Sequence, residues 1–443
     1  MSDGGGTMQQ PEPVKLRRVL NAFLGAAIVV GGSIGIGILS IPGVVAGRLG
    51  DPLLVMVCWF VGGALALLGA NIYAELGTTF PQAGGPYVYL RRAAGPFAGF
   101  VIGWADTAVS ILGMAATAAL IGEYLENGVA GRHKIAVGLI FALGLINWFG
   151  LKVGARAQQA LTLFKLGGLV FLAVACFFVG GQKGDFGAGP VRPISIAAFV
   201  GALVLITETY AGWNSAVYFS EEDKDTDRNI PRALFWGISA MMGAYLLINA
   251  GLLAVLNLTS LSASELPAAD ASKLVFGDAS VALVRTFAVV SLVGILNVAV
   301  MFTPRILFAM SREGVLPIRL SMLNRFSTPA PALVCCLLPA AVLAAGQSFD
   351  ILFRITAFLG LTINCAIYAS FFILRRTEPL VERPFRARWY PWAPLVVLLL
   401  SLGLLVSYLI TDPEPCLWGA AAIALSWPVY KALSRRKRPL VAR

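Results

Sequence analysis

Two stretches of the sequence combine small and polar residues in a pattern that could bind a charged solute. The first covers residues 31–37 and reads GGSIGIG, with four glycines in seven positions. Each glycine weakens a helix by about 1 kcal/mol relative to alanine, so we expect a helix to unwind here. The backbone N–H groups at the start of the resumed helix, together with its dipole, favour a carboxylate. Close packing of neighbouring helices through small residues is the alternative explanation.

The second stretch covers residues 207–214 and reads TETYAGWN. These residues interrupt an otherwise apolar segment, and an unwound helix would expose carbonyl groups that can accept hydrogen bonds from an ammonium. Together the two stretches predict a site for a zwitterion. Lipid offers no replacement for lost backbone hydrogen bonds, so such breaks are expected only around a cavity.

Two ionisable residues are predicted to lie within apolar segments. Glu208 is placed near the bilayer centre, where a charge costs at least about 2.5 kcal/mol, so we expect it to contact a substrate amine or take up a proton. A carboxyl that only braces packing is the alternative. Lys165 could extend its ammonium to the cytoplasmic face. It could instead hold that ammonium against the first apolar segment, where a sodium ion would otherwise stabilise the helices.

Other charged groups suggest structural roles. Asp106 is expected near the cytoplasmic end of its segment, wetted or paired, and is assigned no role. Arg305 is expected to form a pair at the cytoplasmic boundary. The acidic run 221–228 predicts a solvated loop or, alternatively, carboxylates paired with arginines in an inner gate. His133 is the only histidine and the six cysteines form no C-x-x-C pair. We therefore expect no metal, no cofactor and no enzyme activity.

The composition indicates a protein whose solvent is mostly lipid. Of the 443 residues, 58% are hydrophobic and 13% are charged, whereas soluble proteins have roughly a quarter charged residues. Long apolar runs recur along the chain, and each is sufficient to cross a hydrocarbon core of about 30 Å. Twelve predicted spans cover residues 19–46, 52–76, 95–124, 134–150, 158–181, 194–219, 232–257, 279–311, 330–346, 350–375, 391–411 and 416–433. Residues 262–276 are predicted to form a short extramembrane helix or loop.

The net charge of +11 is distributed as membrane insertion requires. With the N-terminus inside, 24 basic residues fall in cytoplasmic segments and six in outer segments. This bias predicts a multi-pass protein of the plasma membrane (the bacterial inner membrane) with both termini in the cytoplasm. It also argues against nucleic acid as the partner of the basic residues.

The two interrupted spans lie five spans apart, which indicates inverted repeats of spans 1–5 and 6–10 with a substrate site between them at the membrane midplane. We accordingly divide the chain into three parts. Residues 1–14 are a cytoplasmic tail, residues 15–376 are the transport core, and residues 377–443 hold the last two spans and a basic cytoplasmic tail.

Several motifs, in this order along the chain, resemble those of the amino acid–polyamine–organocation superfamily. They are GSIGIGIL at 32–39, YAEL at 73–76, FPQAGGPYVYL at 80–90, GWN at 212–214, NIPRA at 229–233, SREGVLP at 311–317 and TPAPA at 328–332. Within the superfamily the chain is most similar to the L-type transporters that form the light subunits of heteromeric amino acid transporters, and to their bacterial counterparts.

The resemblance implies an all-α, LeuT-like fold of ten core helices plus two, with discontinuous helices 1 and 6. It implies a substrate carboxylate bound by backbone groups of Ser33, Ile34, Gly35, Ile36 and Gly37. It implies an amino group bound at the backbone of Glu208, Thr209, Ala211 and Gly212. Lys165 matches a lysine that stands in for sodium in some relatives, which implies a coupling role. Gating is expected of Glu208, Trp213 and Asn214.

The chain departs from the family pattern at two positions. Ile36 occupies the middle of a motif that often reads GSG, and Glu208 replaces the usual aromatic gating residue. The acid favours a cationic amino acid, a polyamine or a proton-linked site.

We therefore expect a secondary carrier of amino acids that works by proton coupling or exchange. A polyamine or organocation carrier, in which Glu208 binds a second ammonium, and an amino acid sensor without transport are the alternatives. No obligate partner subunit is expected, because no attachment cysteine occurs in the outer loop near 123–134.

Overall fold

The protein is described by a computed structural model that covers residues 16–126, 128–180, 195–346 and 349–435. Over these ranges the chain is helical apart from its connections and one isolated bridge between Leu20 and Asp223. The predicted all-α architecture is therefore confirmed. The predicted tail 1–14 and the chain beyond residue 435 lie outside the described residues, as do Lys183 and Arg192, two of the six basic residues counted in outer segments.

The α-helices are, in chain order, α1 (Ala22–Ser33), α2 (Gly37–Leu49), α3 (Pro52–Thr79), α4 (Pro86–Leu125), α5 (Val129–Trp148), α6 (Leu151–Gly180), α7 (Ile196–Tyr210), α8 (Thr226–Val255), α9 (Leu258–Ala263), α10 (Pro267–Phe276), α11 (Ser280–Arg312), α12 (Ala330–Gly346), α13 (Phe349–Thr377), α14 (Trp392–Thr411), α15 (Pro413–Ala424) and α16 (Ser426–Arg435). Two 3-10 helices cover Trp213–Glu222, after α7, and Ile318–Ser321, after α11.

The described residues contain the membrane spans that the sequence predicts. Ten helical segments are long and apolar enough to cross a membrane, and the bent pair α1 and α2 makes an eleventh. The apolar helix α12 is shorter, with 17 residues. With α12 included, every one of the twelve predicted spans corresponds to a helix or a broken helix, and both interrupted spans are discontinuous.

Several helices begin before the predicted start of their span. The helical segment α4 begins at Pro86, but Gly95 (φ 88°, ψ 177°) is not helical and divides it, so the part after this kink begins where the span was predicted to begin. α6 begins at Leu151 and α8 at Thr226, each several residues before the prediction. Hydropathy locates the part of a helix that lies in lipid, whereas the hydrogen-bonded helix continues into the polar segment beyond it.

The predicted extramembrane segment is helical and packs on α2. α9 and α10 cover most of residues 258–276. A Cβ atom at Gly43 of α2 would lie 2.6 Å from the carbonyl oxygen of Ser264 and 2.8 Å from that of Leu261. The absence of a side chain at Gly43 therefore lets the α9–α10 segment approach the second half of the broken first span.

The broken helices occupy the centre of the bundle. α1 contacts α6, α8, α11 and the 3-10 helix after α7, while α2 contacts α7. Asn21 caps α1 through a 2.9 Å hydrogen bond from the Leu24 N–H to its side chain. At the other end of the span, Gly50 (φ 64°) terminates α2, in the left-handed conformation that glycine adopts without steric cost. The caps fix the ends of this span, and its interruption lies in between.

Candidate functional site

The first predicted span is interrupted after Ser33. Ile34 is extended (φ −66°, ψ 107°), and α2 begins at Gly37 with its axis turned by 54° from that of α1. Residues 34–36, which include Gly35 and Ile36, are called the first break below. The N–H groups at the start of α2 have no acceptor within that helix. They are therefore available to a carboxylate, which remains a prediction.

The glycines at the beginning of the first motif have a different role. Gly31 and Gly32 are still within α1. A Cβ atom at Gly31 would lie 1.7 Å from Nε2 of Gln158, and one at Gly32 would lie 3.1 Å from Oγ of Ser215. Close packing, the alternative explanation of the motif, accounts for these two glycines. Ser33 is buried and its hydroxyl donates to the Val29 carbonyl (3.0 Å), which leaves its backbone as the group that can contribute to the site.

The second predicted interruption separates α7 from the 3-10 helix that follows. Ala211 (φ −52°, ψ 148°) and Gly212 (φ 97°) leave the helix, and they are called the second break. A Cβ atom at Gly212 would lie 2.5 Å from the carbonyl oxygen of Gly32. One at Gly37 would lie 3.1 Å from the side chain of Thr209. The two breaks are therefore neighbours in space, as inverted repeats with broken first helices require.

Most of the carbonyls predicted to bind an ammonium already accept one hydrogen bond. The Glu208 carbonyl accepts from the Ala211 N–H (3.1 Å), the Thr209 carbonyl from the Tyr245 hydroxyl (3.1 Å) and the Gly212 carbonyl from the Ser215 N–H (3.1 Å). Among the described residues, no hydrogen bond to the Ala211 carbonyl is found, and this residue is exposed. A carbonyl has two lone pairs, and the Gly212 carbonyl uses both, because it also accepts from the Ser215 hydroxyl. The Ala211 carbonyl is therefore the least committed acceptor, and those of Glu208 and Thr209 can each accept one more bond.

Lys165 holds the end of α1. Its side chain is fully buried, and Nζ donates to the carbonyl oxygens of Gly31 (2.7 Å) and Ile34 (2.9 Å). The interpretation in which this lysine extends to the cytoplasmic face is wrong, because two carbonyls that lose their helical partners at the first break attract the ammonium instead. Gly294 of α11 leaves room for it, since a Cβ there would lie 2.6 Å from Nζ. The coupling role remains a prediction.

Glu208 lies in the last turn of α7 and is partly exposed. Within the described part of the chain, its carboxylate forms neither a salt bridge nor a hydrogen bond. The interpretation in which a neighbouring helix braces this carboxyl by a hydrogen bond therefore finds no support. A carboxylate without a protein partner is free to interact with a solute or a proton, and both remain predictions.

The two other predicted gating residues are tied to α3. Trp213 packs edge to face on Tyr73, with ring centroids 5.1 Å apart. The Asn214 amide donates to the Tyr73 hydroxyl (3.3 Å), which in turn donates to Asn364 of α13 (2.9 Å). The sequence analysis assigned no role to Tyr73 or Asn364. Their polarity within apolar spans is the signal that could have indicated them.

Salt bridges close the bundle near the end of the 3-10 helix. Arg305 and Glu222 are both 2% exposed and form two hydrogen bonds of 2.9 and 3.2 Å. Arg312 binds Glu221 through bonds of 2.6 and 2.7 Å. The predicted pairing of Arg305 is therefore observed. A solvated loop is the wrong description of Glu221 and Glu222, because α11 brings two arginines to them. The pairing that the inner-gate alternative requires is present, and the gating itself remains a prediction.

The end of the 3-10 helix also anchors the segment before α1. The N–H groups of Val19 and Leu20 donate to the carbonyl oxygen of Glu222 (2.8 and 3.1 Å), and Leu20 bridges to Asp223. The segment before α1 and the end of the 3-10 helix are thereby held together beside the Arg305 salt bridge. These contacts hold the segments together at this end of the bundle.

The sequence analysis assigned no role to two carboxylates that the structure buries. Asp106 is 4% exposed and accepts hydrogen bonds from the Tyr218 hydroxyl at both oxygens (2.9 and 3.0 Å), so of the two expectations, wetted or paired, the wetted one is wrong and the residue has a partner. Glu75 of α3 is 2% exposed and pairs with Arg375 and with Arg383, the latter at 3.0 Å. Hydropathy alone could not identify these partners, which come from distant parts of the chain. No cluster of histidine, cysteine or acidic residues suited to a metal occurs among the described residues.

Comparison with known proteins gives matches along nearly the whole chain. The family model described as "Amino acid permease" matches residues 20–424. The serine/threonine exchanger SteT of Bacillus subtilis is 30% identical over 95% of this chain and 98% of its own length. The large neutral amino acids transporter small subunit 2 of Homo sapiens is 28% identical over 97% of this chain and 81% of its own length. The cystine/glutamate transporter of Pongo abelii is 29% identical, with corresponding shares of 95% and 86%.

Proposed function

Because the chain belongs to the amino acid permease family, we propose that it is a secondary carrier of amino acids that works by alternating access, coupled to protons or to exchange. One observation supports this proposal above the others. The two helix breaks lie side by side, so the unpaired N–H groups of α2 face the region that also offers the Ala211 carbonyl. A zwitterion can offer its carboxylate to these N–H groups and its ammonium to this carbonyl.

The relatives support recognition of the amino acid backbone rather than of one side chain. Their names refer to serine and threonine, to large neutral amino acids and to cystine and glutamate. Such different side chains share only the α-amino and α-carboxylate groups, which are the groups that helix breaks can bind. Glu208 is the feature that favours a cationic substrate or, as the alternative function, a polyamine whose additional ammonium it binds.

Alternating access requires that the end of the bundle held together by salt bridges can open. The Arg305–Glu222 and Arg312–Glu221 pairs would separate when the solute leaves on that side. A buried ion pair holds this state closed because an unpaired buried charge costs several kcal/mol. Trp213 and Asn214, held by Tyr73, would move with the 3-10 helix and thereby gate the other side of the site, together with Glu208.

We further propose that the chain acts in the plasma membrane, the inner membrane of a bacterium, with both termini in the cytoplasm. The distribution of basic residues, 24 against six, supports this orientation. The division into a cytoplasmic tail (1–14), a transport core (15–376) and a C-terminal pair of spans with a basic tail (377–443) belongs to the same proposal. A single chain suffices in this proposal, without an obligate partner subunit, cofactor or enzymatic step.

Uptake into proteoliposomes tests the function. The purified chain is reconstituted, and radiolabelled serine, leucine, arginine and putrescine are supplied to vesicles that are either empty or preloaded with the same amino acid, at two pH values. Uptake of an amino acid that rises with preloading indicates exchange, and uptake that rises with an inward proton gradient indicates symport. Uptake of putrescine alone favours the polyamine alternative. Saturable binding without flux would identify a sensor and refute the proposed transport.

A further inference from the structure

A chain of three buried amides runs from α5 to the neighbourhood of Lys165. Asn147 of α5, Asn297 of α11 and Gln158 of α6 are at most 3% exposed. Asn147 donates to Asn297 (2.9 Å), and Asn297 donates to Gln158 (2.9 Å). Three carboxamides in a row at the junction of three membrane helices exceed what packing requires, because apolar side chains would fill the same space without polar groups to satisfy.

Two backbone carbonyls determine the direction of this chain of hydrogen bonds. The Asn147 amide nitrogen also donates to the Leu143 carbonyl (2.9 Å), and the Asn297 nitrogen also donates to the Gly154 carbonyl (3.3 Å). A backbone carbonyl can only accept. Both asparagines are therefore fixed in orientation, and Gln158 must present its oxygen to Asn297 and its nitrogen to the opposite side.

The nitrogen of Gln158 points to the place where Lys165 meets α1. A Cβ atom at Gly31 would lie 1.7 Å from Gln158 Nε2, and one at Gly294 would lie 3.4 Å from that nitrogen and 2.6 Å from Lys165 Nζ. Within the described residues, Gln158 Nε2 has no hydrogen-bond acceptor. A donor without a partner thus lies beside the ammonium, which is itself only a donor.

We propose that Asn297 is a positioning residue for substrate recognition, because it keeps the Gln158 oxygen away from Lys165. With that oxygen engaged, the ammonium has the carbonyls of Gly31 and Ile34 as acceptors, and it fixes the end of α1 next to the first break. Without Asn297, the Gln158 amide can turn and offer its oxygen to Lys165. The ammonium has three N–H donors and uses two of them on α1, so it then gains Gln158 as a third acceptor and shifts toward it. This shift weakens its bonds to the α1 carbonyls, and the N–H groups of the first break lose their fixed geometry. This inference rests on the proposed function, in which those N–H groups bind the substrate carboxylate.

The test measures KM and kcat for exchange in proteoliposomes that contain Asn297→Leu, Gln158→Met and the double variant. Asn297→Leu should raise KM about tenfold, the effect of weakening one hydrogen bond to a charged group. Gln158→Met should raise KM less, because methionine removes the chain of hydrogen bonds but offers Lys165 no oxygen. In the Gln158→Met background, Asn297→Leu should change KM by less than about twofold.

Asn249 provides a matched control. It is an equally buried asparagine (1% exposed) in α8, and its amide donates to Tyr245 of the same helix. Asn249→Leu should leave KM unchanged, and its only effect should be a lower amount of active protein. Should Asn297→Leu not reach the membrane, Asn297→Ala carries the same expectation.

The outcomes separate the inference from the proposed function. A purely structural role of Asn297 predicts a lower kcat with unchanged KM, or a KM for Gln158→Met at least as high as for Asn297→Leu. Either result overturns the inference while the wild type continues to transport. Absence of amino acid uptake by the wild type would instead refute the proposed function.

Discussion

Replacement of Lys165 by methionine tests how the first break is held. Methionine retains an unbranched apolar stem but removes the ammonium that binds the carbonyls of Gly31 and Ile34 (2.7 and 2.9 Å). Because α1 ends at Ser33, these carbonyls have no further partner along the helix. Each buried carbonyl left without a hydrogen bond costs about 1–3 kcal/mol. The geometry that binds the substrate should thus lose about 2 kcal/mol or more.

This loss corresponds to a decrease in kcat/KM of at least about thirtyfold, since 1.4 kcal/mol is tenfold. Global stability should change less, because methionine also removes the cost of burying an ammonium, which is several kcal/mol. The assay is exchange in proteoliposomes, combined with thermal unfolding of the purified variant. We therefore expect a large loss of transport with a small change in Tm.

Thr162→Val is the matched control for this prediction. The Thr162 hydroxyl donates to the Ala27 carbonyl (2.8 Å), one turn of α6 before Lys165. The Ala27 carbonyl lies inside α1 and keeps its helical donor when the hydroxyl is removed. Thr162→Val should therefore transport within about threefold of the wild type. Equal kcat/KM in Lys165→Met and Thr162→Val would refute the reasoning, because the broken helix would then not depend on the ammonium.

Four further outcomes are expected. Glu208→Gln should abolish transport or change its pH dependence or its preference for cations, and unchanged flux across pH and substrates would contradict the proposed role. Gly212→Ala should abolish transport and lower Tm, because its φ of 97° and a Cβ 2.5 Å from an α1 carbonyl cost about 2 kcal/mol or more. Glu222→Gln should destabilise the protein by about 3–5 kcal/mol in thermal unfolding, since it leaves the buried Arg305 unpaired, and a second change, Arg305→Met, should restore most of the loss. Replacement of sodium by choline should leave uptake unchanged if, as the resemblance implies, the Lys165 ammonium stands in for such a cation, and a sodium-dependent rate would refute this.

Both helix breaks were predicted from the sequence, because glycine and polar residues in the middle of an apolar span disfavour a continuous helix. It did not locate the first break within its motif. Gly31 and Gly32 belong to the helical part and accommodate Gln158 and Ser215, whereas unwinding is confined to residues 34–36. Local helix propensity identifies a weak segment, and the neighbouring helices determine which of its peptide bonds leave the helix.

The partners of the charged residues were less predictable than the residues themselves. Lys165 could be placed in a span, but whether its ammonium reaches water or a carbonyl depends on α1, which is more than a hundred positions away in the sequence. Likewise the acidic run after the second break reads as a solvated loop until α11 supplies Arg305 and Arg312. Hydropathy and composition measure the cost of burying a charge, whereas only the tertiary structure shows which group offsets it.

The covalent attachment of the ammonium limits how transport can be driven. A bound sodium ion could dissociate on one side and couple transport to its gradient, but Lys165 cannot leave. In the proposed function, the driving force is therefore a proton gradient or the gradient of the amino acid carried in the opposite direction. An empty carrier would have to close around the unpaired N–H groups of the first break and the carbonyl of Ala211, at about 1–3 kcal/mol for each buried group without a partner. A bound zwitterion satisfies these groups, so the loaded carrier passes through the closed state more readily than the empty one, which favours exchange over net uptake.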